Sequence, residues 1–128
     1  MKIKIPLYIE MERKTKKNIK YYLNLNNYRN WHYIINNNIK KKFKENLKEV
    51  CTFQADYIEE IHYQLVYWDK RKRDKWNILA IIQKFFLDAL TEYWCIPDDN
   101  DKYIWKEIQH KPIYEKWESY CMIELKKV

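Results

Sequence analysis

The stretch Ile58-Glu-Glu-Ile-His-Tyr-Gln-Leu-Val-Tyr-Trp-Asp-Lys-Arg-Lys-Arg-Asp-Lys-Trp76, continuing through Asn77 to Trp94, decides the fold class of this chain. From Ile58 to Trp68 the side chains alternate. Ile61, Tyr63, Leu65 and Tyr67 fall on one side, with His62, Gln64, Val66 and Trp68 on the other. Bulky groups on both sides predict a central strand covered on both faces. At Asp69 the period of two gives way to the charged run Lys70-Arg71-Lys72-Arg73-Asp74. Beyond it Ile78, Ile82, Phe85, Phe86 and Ala89 recur at helical spacing, which predicts a helix from about Trp76 to Trp94. Asn77, Lys84 and Asp88 fall on one polar line of that helix. The segment Ile96-Pro97-Asp98-Asp99-Asn100-Asp101 ends it.

Working outward, Lys2 to Ile9 reads as an edge-type strand. The charged stretch Glu10 to Lys17 reads as a solvated turn, followed by an extended segment around Ile19 to Leu25. Asn24-Leu-Asn-Asn27 supplies turn and capping chemistry. From about Asn30 to Val50, Trp31, Ile34, Ile35, Ile39, Phe43 and Leu47 repeat at three and four. Lys40, Lys41, Lys44 and Lys48 occupy the opposite side, so the pattern is a basic amphipathic helix. Two strands, about Lys102 to Gln109 and Ser119 to Lys126, close the chain as a pair joined by a turn near Lys111-Pro112. The order of elements predicts an α+β domain, a mixed β-sheet with two main helices, rather than a doubly wound one.

The chain has 128 residues, which fits a single domain spanning 1–128. A hydrophobic fraction of 47% and an aromatic fraction of 17% are enough for a packed core, so disorder is not expected. The formal charge of +7 suits an anionic partner, nucleic acid being the commonest. Abundant Lys, Asn, Ile and Tyr with no Gly would equally follow from AT-rich coding. Cys51, Cys95 and Cys121 are odd in number, far apart and outside any CxxC pattern, which argues against zinc and for a reducing compartment. No apolar run approaches a signal peptide or a membrane span, so a cytoplasmic protein without a membrane partner is expected. Without Gly, a Gly-cradled phosphate loop is excluded, and no HExxH or GxSxG motif occurs.

Carboxylates mark the candidate chemistry. Asp74 stands where strand passes into helix, and Asp98-Asp99 stands at the helix's far end. Clustered carboxylates suit a divalent cation held by oxygen ligands. A helix of this length is about 30 Å long, however, so the two places meet only if the helix bends or a second copy contributes. Otherwise Asp74 caps its helix and Asp98-Asp99 forms a turn. Lys70, Arg71, Lys72 and Arg73 beside Asp74 suit phosphate binding, as do the helix lysines Lys40, Lys41 and Lys44; each set also reads as a solvated surface. His32, His62 and His110 lie on separate elements and are expected to be structural.

These residues carry a resemblance. Lys72-Arg-Asp-Lys-Trp-Asn77, Lys84-Phe-Phe-Leu-Asp-Ala-Leu90 and Pro97-Asp-Asp99, in that order, resemble the RusA family of Holliday junction resolvases. Leu25-Asn-Asn-Tyr-Arg-Asn30, with Lys40 downstream, resembles a segment of its phage subgroup. The resemblance implies a homodimer acting in the host cell that binds branched or double-stranded DNA and cuts it by Mg²⁺- or Mn²⁺-dependent phosphodiester hydrolysis. It implies Asp74, Asp98 and Asp99 as metal ligands, Arg73 and Lys84 at phosphate, Asn77 as an orienting group, and Arg29 with Lys40 among the DNA contacts. Two departures stand out. Trp76 occupies the position of the family's second carboxylate, and Gln83 the place before Lys84 where longer-helix relatives carry an Asp. A constellation short of one carboxylate also fits an inactive form of the same fold that binds DNA, or a host protein as a phage antidefence factor.

Overall fold

A computed structural model describes residues 1–126. Three antiparallel or parallel partners surround one strand, β4, Ile58–Tyr67. Strand β1, Lys2–Pro6, lies at one edge and pairs antiparallel with β7, Tyr120–Lys126. Strand β7 in turn pairs antiparallel with β4 over seven residue pairs from Glu60↔Lys126 to Val66↔Tyr120. On the other side β5, Ile104–Gln109, runs parallel to β4, and the two-residue β6, Ile113–Tyr114, continues along the same edge. Strands β2, Tyr8–Met11, and β3, Ile19–Tyr22, form a separate antiparallel pair. The fold is α+β with a mixed sheet, as the order of elements predicts.

Strand β4 is central because its Ile61, Tyr63, Leu65 and Tyr67 are all buried. They pack in one core cluster with Leu79, Ile82, Phe86 and Leu90 of helix α3, Lys75–Glu92, and with Ile39 and Phe43 of α2, Tyr33–Asn46. The opposite face differs from expectation: Glu60, His62 and Gln64 are only half-buried and Trp68 is exposed, so on that side only Ile58 and Val66 are covered completely. Bulk alone does not distinguish a side chain lying across open sheet from one beneath a second layer.

Several boundaries move for local reasons. The first strand divides at Leu7. Pro6 ends the pairing with β7, and the Leu7 carbonyl accepts from the Leu23 backbone amide at 2.9 Å, which redirects the chain into the β2–β3 pair. Asn24 does cap, its side chain accepting from the Asn27 amide at 2.8 Å. What it caps is a six-residue helix, α1, Leu25–Asn30, too short to leave a periodic signature. Helix α2 starts later than its apolar spacing suggests because His32 is its N-cap, through Nδ1 accepting from the Ile34 amide at 3.3 Å.

Helix α3 ends in a Schellman motif: the Cys95 amide donates to the Leu90 carbonyl at 2.9 Å and the Trp94 amide to that of Thr91 at 3.1 Å. The left-handed residue at its turn is Trp94, φ 62°, in a position glycine usually fills. The closing strands are not a hairpin. Strands β5 and β7 lie on opposite sides of β4, and the chain passes Lys111-Pro112 without reversing, continuing along β4 as β6. The reversal comes later, across residues 115–119.

Candidate nucleic-acid interface

A cavity of about 1100 Å³ opens where β4 passes into α3. Its walls come from four places that sequence order keeps apart: β1, the β2–β3 pair with α1, the loop before α3 together with that helix's first turn, and the loop before β7. Lys4, Lys20, Arg71 and Arg73 face it together with the carboxylates of Asp74 and Glu118. Lys4 is met by Glu118 and Arg73 by Asp69, so the excess positive charge rests on Lys20 and Arg71 beside Asp74, with the positive end of the α3 dipole adding to it. Tyr8, Tyr22, Trp68 and Trp117 supply aromatic surface. Trp68 and Tyr22 are more than half exposed.

The basic loop is held in place. Arg73 donates from Nη2 to Asp69 Oδ1 at 2.8 Å and lies over the Tyr67 ring at 4.4 Å. The Arg71 amide donates to Asp69 Oδ1 at 3.0 Å. These bonds, led by the Arg71 amide, hold the Asp69 carboxyl below its ordinary range. Lys20 lies over the Tyr8 ring at 4.6 Å, and Tyr8 packs on Tyr22 with centroids 5.6 Å apart. Lys4 pairs with Glu118 and lies over the Tyr120 ring.

Asp74 is the N-cap of α3. Its Oδ1 accepts from the Trp76 amide at 3.0 Å and from the Asn77 amide at 3.4 Å. The structure therefore brings Asp74, Asn77, Arg71 and Arg73 together on one cavity wall. Lys70 and Lys72 belong to the same loop and are exposed, but they do not line the groove. Arg29 is exposed in the last turn of α1.

The other expected residues lie elsewhere. Asp98 Oδ1 accepts from the Asp99 amide at 2.8 Å and its Oδ2 from the Asn100 side chain at 3.2 Å, forming a turn. Partial desolvation first, then Asp98 and Asp88, push the carboxyl of the exposed Asp99 above its ordinary range. Asp88 comes late in α3, about 21 Å along the axis from Asp74 at 1.5 Å per residue. Within one chain, Asp74 and the Asp98-Asp99 pair are not brought together. Lys40, Lys41 and Lys44 line a second, smaller hollow between α2 and α3. There Lys40 pairs with Asp88 at 3.8 Å and Lys44 with Glu92 at 2.8 Å, so two of these three charges are met internally. Lys84 is exposed on α3, outside both hollows.

The two departures from the family pattern have visible consequences. Trp76 is 64% exposed, does not line the groove and offers no oxygen ligand. Gln83 donates its amide to Glu107 of β5, whose other oxygen accepts from the Tyr63 hydroxyl at 2.9 Å. Its amide is thus engaged away from Asp74. Among the described residues no group of three or more His, Cys, Asp or Glu side chains is placed to hold a metal ion. Among the described residues, the donor set of a single chain does not fit a Mg²⁺ or Mn²⁺ centre.

Sequence reasoning missed Lys4, Lys20, Tyr8, Tyr22, Trp68 and Trp117. Only Trp117 carried a signal, as a Trp inside the charged loop Glu115-Lys-Trp-Glu118. It also separated His62 from His110, which β4 and the end of β5 bring together. His62 Nδ1 and His110 Nε2 are 2.7 Å apart, and His62 Nε2 is 3.2 Å from Glu60 Oε2. No family model matches the chain, and no curated protein matches it. Among the described residues no helix is long and apolar enough to cross a membrane.

Proposed function

We propose that the chain is a RusA-like DNA-binding module that grips branched or double-stranded DNA through the groove at the head of α3, and that it has lost metal-dependent cleavage. The groove carries this reading: Lys4, Lys20, Arg71 and Arg73 converge there beside the helix N-terminus. The loss of cleavage rests on Trp76 and Gln83 standing where carboxylates are expected, and on the separation of Asp74 from Asp98-Asp99. The test is to incubate the protein with a four-way junction, with and without Mg²⁺ or Mn²⁺. Salt-sensitive binding with intact strands in every arm is expected. Metal-dependent nicking would overturn the loss of cleavage, and no junction binding at low salt would overturn the DNA reading and leave a host protein as partner.

One observation favours a second reading, an endonuclease completed in a homodimer. Asp74 shares its cavity wall with Arg71, Arg73 and Asn77, so cations that suit a phosphate stand beside a carboxylate that suits a metal ion. Under that reading a second copy supplies the remaining carboxylates. Nicking would then require Mg²⁺ or Mn²⁺, rise with dimer formation in sedimentation, and vanish in Asp74→Asn.

A further inference from the structure

We infer that the groove takes an unpaired DNA strand, and that Trp117 and Trp68 are the surfaces on which its bases stack. The inference rests on the DNA reading above and narrows it. Trp117 carries the argument. It is 91% exposed, and its φ of 89° lies in the left-handed region that bulky residues avoid. Both features cost folding free energy. Trp94 shares the positive φ, but there it closes a helix. Trp117 closes none.

Its loop is nevertheless tied at both ends. The Glu115 amide donates to the Tyr67 carbonyl at 2.9 Å, and the Tyr120 hydroxyl to Glu115 Oε2 at 2.8 Å. The Trp68 amide donates to Ser119 Oγ at 3.1 Å, and Glu118 pairs with Lys4. A loop anchored this firmly holds Trp117 out over the cavity that it lines. Trp68 lines the same cavity and is 60% exposed.

Charge and shape select the occupant. Arg71, Arg73 and Lys20 suit a phosphate chain, and indole planes suit the faces of bases. In a duplex the base faces are stacked on one another, so only an unpaired or unstacked nucleotide presents them to a side chain. A cavity of about 1100 Å³ suits an extended strand of a few nucleotides. At a fork or flap, unlike a fully paired four-way junction, such a strand lies beside duplex arms.

The test measures binding by fluorescence anisotropy with a labelled single strand of about 15 nucleotides, long enough for a stacking groove. The duplex of the same sequence and a four-way junction serve as companions. Wild-type protein is expected to prefer the single strand over the duplex. Trp117→Ala should weaken single-strand binding by roughly 5- to 100-fold and duplex binding less than about twofold, with Trp117→Phe intermediate. Trp117 is almost wholly solvent-facing, so an unchanged melting temperature checks that the variant is folded. Duplex or junction binding that falls in Arg71→Ala but is indifferent to Trp117→Ala would overturn this inference and leave the DNA reading standing. No binding of any of the three DNAs at low salt would overturn both.

Discussion

Asp74 does two separable things, and substitution divides them. As N-cap it satisfies the first amides of α3; as a carboxylate it puts negative charge in a basic groove. Asp74→Ala removes both and is expected to cost about 0.5–2 kcal/mol of stability in urea unfolding. Asp74→Asn keeps the cap, so stability should hold, and under the proposed DNA reading affinity should rise through lost repulsion. Equal destabilisation by both would show that the cap is not what the side chain contributes. Asp99 makes a prediction of opposite character. Partial desolvation and the neighbouring Asp98 raise its folded pKa above the unfolded carboxylate value, so the native state binds that proton more tightly than the unfolded chain. Its ionisation opposes folding fully above the raised value, and acidification relieves this through the window down to the ordinary carboxylate range. Asp99→Asn should therefore raise the melting temperature at neutral pH and flatten the curve within that window.

Helix α3 links the core to the groove. Its buried stripe against β4 fixes its axis, and its first turn then lies at the end of β4 beside the basic loop. At its other end the Schellman turn places a bulky residue at a left-handed position. Trp94 is 73% exposed, so little packing offsets the strain. Trp94→Gly is expected to stabilise the chain by about 1 kcal/mol, read as a shift of the denaturation midpoint at constant slope. A destabilised variant would mean that the indole packs more favourably than its exposure suggests.

The whole molecule governs salt dependence. The formal charge of +7 is spread over the surface, but several cations are met internally: Lys40 by Asp88, Lys44 by Glu92, Arg73 by Asp69 and Lys4 by Glu118. Only the cations that displace counterions on binding should enter the slope of log affinity against log salt. Arg71→Ala should reduce that slope by about 1, whereas Lys41→Ala, on the far hollow, should leave it unchanged. An equal change from both would mean that binding follows net charge and not the groove.

The sequence by itself determined the α+β class, the central place of β4, the helical character of α2 and α3 and the strand-to-helix junction at Asp74. Each rests on a period or a cap, and such signals are local. It also pointed to Arg71, Arg73, Asp74 and Asn77, which lie within a few residues of one another and stay together in space. The tertiary structure alone decided that β7 enters between β1 and β4, since an antiparallel strand inserted there and one joined in a hairpin to β5 share the same alternation. It alone separated Lys40, Lys41 and Lys44 from the groove, joined His62 to His110, and brought Lys4, Lys20, Trp68 and Trp117 to a single cavity. Contacts between residues far apart in the chain depend on how elements pack, and no local pattern records that. Trp76 and Gln83 were visible as departures from a pattern; only packing revealed that one faces solvent and the other engages Glu107.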